Sequence, residues 1–145
     1  MIVTISPDER SLYRKTFRGP HWREVSLALR VEHNACEVCR RRPCALHVLE
    51  GAHLIAEVEL WALGLHERYL FDPRGLACLC SGCHKAFDLD LGVLSAARMS
   101  RLEAARARGR YRRFAAEFRR LKLRRMRWAS TMLRETEGIS AAVAG

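Results

Sequence analysis

The sequence predicts an α+β fold: a small core stapled by a metal ion, with one helix before it and a long helical extension after it. Three observations carry this expectation. Two Cys-x-x-Cys pairs, Cys36/Cys39 and Cys80/Cys83, stand roughly forty residues apart, a spacing that suits a zinc ribbon or treble-clef site. The stretch between them is short, rich in turns and able to bury little apolar area, so a structural metal is its expected source of stability. From Ser95 to Glu137 there is no proline and one glycine, Gly109, a composition that favours a long helix.

The elements follow in order. Residues 1–19 are mixed and read as an N-terminal arm closed by Gly19-Pro20. Trp22, Val25 and Leu29 fall on one side of a helix over 21–33, and Pro20 suits its start. Cys36 to Cys39 forms a knuckle turn that Arg40-Arg41-Arg42-Pro43 continues. Leu46 to Glu50 is expected as a strand, Gly51 as a bend or bulge, and Ala52 to Ala56 as the paired strand. Leu60, Trp61, Leu63, Leu65 and Leu70 suggest a short helix within 57–70, weakened by Gly64. Asp72-Pro73-Arg74-Gly75 signals a turn, and a helix starts over 82–88. Tyr111, Phe114, Phe118, Leu121, Arg125 and Trp128 recur at every third or fourth position, so the extension is amphipathic, with a break expected near Gly109. Its aromatic residues read as a buried seam. Ile139 to Gly145 reads as a frayed tail. The expected organisation is an arm over 1–19, a zinc-containing domain over 20–94, a basic helical extension over 95–137 and a flexible tail over 138–145.

Hydrophobic content of 49% excludes a wholly disordered chain. No apolar run approaches the roughly 20 residues that cross a bilayer, and the N-terminus lacks the design of a signal peptide. A reducing, cytoplasmic compartment is the expectation, in which x-x spaced cysteines hold metal rather than disulfides. Cys44 and Cys78 are left over as small hydrophobes, with Cys78 close enough to Cys80 to compete as a ligand. The net charge of +10 is polarised: Arg98 to Arg134 carries 14 Lys and Arg against Glu103 and Glu117, a net +12, and the rest of the chain, with 12 bases and 14 acids, is at −2. A basic stripe of that size predicts a polyanionic partner, DNA or RNA. Arginine dominates it, which favours bidentate phosphate contacts that position without reading sequence.

Several stretches together resemble the HNH endonuclease family, whose fold is the ββα-metal unit. Trp22-Arg23-Glu24-Val25 ahead of Cys36-Glu37-Val38-Cys39 resembles the family's lead-in helix and first knuckle. Val48-Leu49-Glu50-Gly51-Ala52-His53-Leu54-Ile55 is similar to its first motif, and Gly75-Leu76-Ala77 followed by Cys80-Ser81-Gly82-Cys83-His84-Lys85-Ala86-Phe87-Asp88 to its ending. The likeness spans residues 20–94. It implies metal-dependent hydrolysis of phosphodiester bonds, with double-stranded DNA the leading substrate and a bacterial or phage setting.

The resemblance also implies roles. His53 becomes the general base that deprotonates water, as an imidazole with a pKa near working pH can. His84 becomes the ligand of a catalytic magnesium, manganese or other divalent ion, which would hold the scissile phosphate. Asp88, one turn after His84, shares its helix face and is a candidate second ligand. Cys36, Cys39, Cys80 and Cys83 hold the structural zinc. Arg74, Lys85, Arg106, Arg110, Arg113, Arg120, Arg124 and Arg127 are the candidate nucleic-acid contacts. His47 and Glu50 are expected on the strand surface, and His21, His33 and His66 at the surface.

The chain departs from the family at its central Asn. Its single Asn, Asn34, precedes the first knuckle, and Arg74 or Gly75 takes the motif place, according to how the segment is aligned. Neither offers the Asn amide, so a backbone carbonyl or Asp72 is expected to set the tautomer of His53. Ala52 also stands where some relatives have an Asp ligand. The alternative reading is a zinc-stapled module that binds nucleic acid without cutting it. A homodimer through the C-terminal helix is a further expectation, and a membrane role is not.

Overall fold

The computed structural model describes Lys15 and residues 19–144, with side chains described as far as Gly138. The expected arm therefore lies almost wholly outside the described residues. Helix α1 (Pro20–His33) opens with proline, whose missing N–H costs nothing at a helix start. It stops at Asn34, in the left-handed conformation with φ 50°, whose N–H bonds the Arg30 carbonyl 2.8 Å away. The one Asn of the chain thus serves as a helix stop. The first knuckle follows and turns on Arg40, also left-handed at φ 65°.

Strand β1 (Leu49–His53) and strand β2 (Leu76–Cys80) form an antiparallel two-stranded sheet, with Leu49 opposite Cys80, Gly51 opposite Cys78 and His53 opposite Leu76. This corrects the expected local hairpin. Gly51 does not bend the chain but passes straight through β1, where a Cβ would come within 3.1 Å of Trp22 Cη2. The glycine is there to let α1 approach the sheet. The true partner strand is the fully buried run Leu76–Cys80, which brings Cys80 back to the first knuckle. The two short helices between the strands are α2 (Glu57–Ala62) and α3 (His66–Tyr69), separated at Gly64, φ 69°. A 3-10 turn (Pro73–Gly75) leads into β2.

Helix α4 (Ser81–Asp90) starts directly from β2, its first turn capped by the Cys80 sulfur. Helix α5 (Arg101–Arg113) opens with a capping box in which Ser100 and Glu103 satisfy each other's backbone N–H at 3.1 Å. Helix α6 (Ala115–Ala144) continues through the segment expected as a tail. The break between them lies at Phe114 (φ −114°, ψ 34°) and not at Gly109, which sits inside α5. One straight helix over these residues would run about 65 Å at 1.5 Å per residue. A bend is needed to keep the apolar stripe on a small core.

Of the predicted seam, Phe118, Leu121 and Trp128 are buried, while Tyr111 and Phe114 are half-buried at its edge. Ala104 and Ala107 face α4, while Phe118, Leu121, Trp128 and Met132 enter the main core. Phe118 has no exposed surface and stacks on Tyr111 at 4.9 Å and Phe87 at 6.5 Å. The extension is therefore part of the core of the β1–β2–α4 unit. No helix among the described residues is long and apolar enough to cross a membrane.

Candidate metal centre and imidazole–carboxylate cluster

Four sulfurs converge where the first knuckle meets the end of β2. The ligand atoms of Cys36, Cys39, Cys80 and Cys83 all lie within 4.8 Å of one another. Cys39 Sγ is 3.8 Å from Cys80 Sγ, and the edge of a tetrahedron with Zn–S bonds of about 2.3 Å is about 3.8 Å. Crowded thiols share protons unequally. Hydrogen bonds from Cys80 and Cys83 hold the Cys36 thiol far below its usual range, and Cys36 in turn pushes Cys83 high and Cys80 up to about 11. A bound dication resolves this conflict, because it deprotonates its thiols outright. The cluster fits a structural zinc. Cys78 lies outside it, two residues and about 7 Å along the strand from Cys80, and Cys44 is exposed.

The cluster is stitched to its surroundings through groups that spacing alone did not reveal. Glu37, inside the first knuckle, accepts from Cys78 N at 2.6 Å and from Arg124 Nη1 at 2.8 Å. Arg124 also bonds the Leu76 carbonyl. His47, expected at the surface, is buried with Nε2 3.9 Å from Cys39 Sγ. Arg110 Nη1 stands 3.7 Å from Cys83 Sγ and 4.0 Å from Cys80 Sγ.

Two imidazole–carboxylate groups line the same ββα unit, one beside the cysteines and one at the far end of β1. His53 ends β1, and His84 sits in the first turn of α4. His84 Nδ1 is 3.2 Å from Glu50 Oε1, and its Nε2 is 3.3 Å from Asp88 Oδ2. His53 Nδ1 is 3.2 Å from Glu57 Oε1, and its Nε2 is 2.7 Å from the Leu70 carbonyl oxygen. Since a carbonyl only accepts, Nε2 carries the hydrogen there. The tautomer is thus set by a backbone carbonyl. Asp72 instead binds Arg74, and Gly75 lies beneath Trp128, where a Cβ would fall 2.7 Å from Cε2.

The charges of these groups reach one another. Burial pushes Asp88 up to about 6, against the pull of His84 and with the repulsion of Glu57. Burial pushes His84 down, but the Glu50 hydrogen bond and the Asp88 and Glu50 charges outweigh it and raise its pKa. Burial pushes Glu57 up, and the His53 hydrogen bond and charge more than offset this, leaving it low. The His84 hydrogen bond holds Glu50 low. In sequence Glu50 reads as an exposed strand residue able to help metal or water, and Glu57 looks like an ordinary helix-start acid, so neither is singled out there as a site residue.

The His53 ring is closed off: its side chain is 4% exposed and stacks on Trp22 at 5.2 Å and 20°. Among the candidate nucleic-acid contacts, three are engaged within the fold. Arg74 binds Asp72 at 2.7 Å and Glu135 at 3.0 Å, and Arg110 and Arg124 make the contacts given above. Lys85, Arg106, Arg113, Arg120 and Arg127 are exposed and make no ion pair among the described residues. His21 packs against Phe71 with the rings tilted by 50°, and His66 stacks on Trp61. Compared with family models, curated proteins and solved structures, the chain finds no match.

Proposed function

We propose that this protein is a metal-dependent, HNH-like endonuclease acting on DNA, with His53 as general base and His84 and Asp88 as ligands of a divalent ion. The observation that carries the reading is that two imidazoles and the carboxylates Glu50, Glu57 and Asp88 lie along one β-β-α unit, near enough for their charges to act on one another, in a chain of net charge +10. Part-buried groups with displaced pKa values and specific partners mark functional sites. The ββα order, the His53 position at the end of β1 and the His84 position after the second knuckle agree with the family resemblance.

Magnesium or manganese, when bound, would supply positive charge to a phosphate and its leaving oxygen. The chain's own residues do the rest. The Leu70 carbonyl keeps the hydrogen on Nε2, so Nδ1 is the nitrogen that exchanges a proton, and it must give up the hydrogen that Glu57 accepts before it can take one from water. A water molecule reaching Nδ1 must displace the Glu57 carboxylate, which starts α2 with a side chain 24% exposed and has solvent to swing into. The negative charge of Glu57 then offsets the imidazolium that forms. Arg106, Arg113, Arg120, Arg127 and Lys85 hold the nucleic-acid backbone without reading bases. A homodimer through α6 is supported by Leu123, Met126 and Leu133, exposed at helical spacing. Sedimentation as a clean monomer at high concentration would count against it.

Zinc-loaded protein is expected to nick supercoiled plasmid in magnesium or manganese, and His53→Ala to abolish nicking. Absence of any His53-dependent product overturns the enzyme reading. The second reading, a non-catalytic zinc module that binds nucleic acid, is favoured by one observation, the closure of Trp22 over the His53 ring. It predicts salt-sensitive binding that His53→Ala leaves unchanged, and no cleavage.

A further inference from the structure

The cysteine cluster and the basic extension meet at one side chain. Four thiolates around a dication leave two net negative charges, and that excess lies in a part-buried position where charge is costly to leave uncompensated. Arg110, from α5, brings a guanidinium to within 3.7 Å of Cys83 Sγ and 4.0 Å of Cys80 Sγ. Its approach depends on Gly82, the residue between the cap and the last cysteine. A Cβ there would lie 2.8 Å from Arg110 Nε and 2.9 Å from Cζ. The opposite flank of the cluster is covered by His47, 3.9 Å from Cys39 Sγ. Around Arg110, α5 fully buries only the small side chains Ala104 and Ala107, with Tyr111 half-buried against Phe118. With so few apolar anchors, a charged anchor contributes to keeping the helix seated.

We propose that Arg110 is a positioning residue for the metal centre: it neutralises the metal–thiolate charge, and the loaded centre in turn seats α5 on α4. Partners of this kind, hydrogen-bonded to metal ligands, typically change metal affinity by about 10- to 100-fold when removed. The coupling is reciprocal, because whatever strengthens metal binding when α5 is docked must strengthen docking when metal is bound.

The test uses the full chain with cobalt(II) as a spectroscopic stand-in for zinc. Arg110→Gln keeps a side chain of similar polarity with an N–H donor and removes the charge, so a role in packing alone would largely survive it. Its cobalt affinity is expected to fall by about 10-fold or more in competition with a chelator, with the thiolate charge-transfer band retained at saturation. Arg101→Ala, on the same helix but without an ion pair among the described residues, is expected to bind as the parent does. The second readout is trypsin cleavage after Arg106 and Arg108, mapped by mass spectrometry at saturating metal. It is expected to accelerate in Arg110→Gln and stay slow in Arg101→Ala. Should Arg110→Gln fail to fold, Gly82→Ala is read the same way, since its Cβ displaces the guanidinium from the sulfurs. Parental cobalt affinity together with parental cleavage rates in the charge-free variant would overturn the proposal.

Discussion

Gly75→Ala probes the docking of α6 onto the sheet. The added Cβ would fall 2.7 Å from Trp128 Cε2, closer still to Nε1 and 3.1 Å from Cζ2. Trp128 cannot simply retreat. Its ring is 5% exposed, meets Tyr69 edge-on at 5.5 Å and lies under the Arg74 guanidinium at 5.0 Å. Overpacking of this kind costs about 1–3 kcal/mol. Lower entropy of the unfolded chain returns about 0.4–1 kcal/mol, which leaves a net loss of about 1–2 kcal/mol. Urea unfolding of the zinc-loaded protein, followed by tryptophan fluorescence, measures it. The same substitution made in a Trp128→Phe background should cost much less, because the indole nitrogen that meets the new methyl is gone. The effect also reaches the candidate site, since the Gly75 carbonyl accepts from Leu54 N at 2.9 Å, one residue after His53. Parental stability in Gly75→Ala, or an equal cost in both backgrounds, would refute the reasoning.

Other consequences are as concrete. Phe118→Ala empties a fully buried ring site between Phe87 and Tyr111 and should cost about 3–5 kcal/mol in the same urea assay. Removing the metal with a strong chelator should unfold the sheet and α4, whose junction the four cysteines hold, and far-UV circular dichroism should recover when zinc is returned. Asp88 has a folded pKa of about 6, above its ordinary 3.8, so its proton favours the folded state, and that contribution is lost as pH rises through 6. Asp88→Asn should therefore gain stability relative to the parent between pH 5 and 8 in zinc alone. Added manganese should narrow the difference by stabilising the carboxylate. Alanine at Arg106, Arg113, Arg120 or Arg127 should each lower the slope of log affinity against log salt for DNA by about 0.9, whereas Arg124→Ala, which strands Glu37, should cost about 1–2 kcal/mol of stability in urea.

How much of this could be read from the chain follows physical lines. The four cysteines were legible because metal ligands need a fixed residue type at a fixed spacing. The starts of α1 and α4 and the buried seam of α6 were legible because proline, knuckle geometry and helical periodicity are local. The pairing of β1 with β2 was not. Leu49 and Cys80 find each other across two helices, and a fully buried strand such as Leu76–Cys80 shows no alternation to mark its partner. The position of the helix break was hidden for a related reason: glycine at 109 permits a bend, but the curvature of the core places it at Phe114. At the site, His53 and His84 stood out as residue types, and a backbone carbonyl or Asp72 was expected to set the tautomer of His53. That the carbonyl belongs to Leu70, that Trp22 covers the ring and that Glu57 occupies Nδ1 depend on elements far apart in sequence. The arginines show the same limit. Composition marked a basic stripe, but only the packed structure separates Arg74, Arg110 and Arg124, held by internal partners, from the exposed members.

The most direct test of the central claim is paramagnetic. Zinc-loaded protein labelled at histidine is titrated with manganese(II), and the ring-proton signals of His53 and His84 are followed by NMR. A cation held by His84 and Asp88 beside the His53 base should broaden both sets of signals at low manganese, and Asp88→Asn should weaken the effect on both. If the His53 signals stay sharp while those of His84 broaden, or if neither responds, the two imidazoles do not serve one cation site and the hydrolytic account is contradicted.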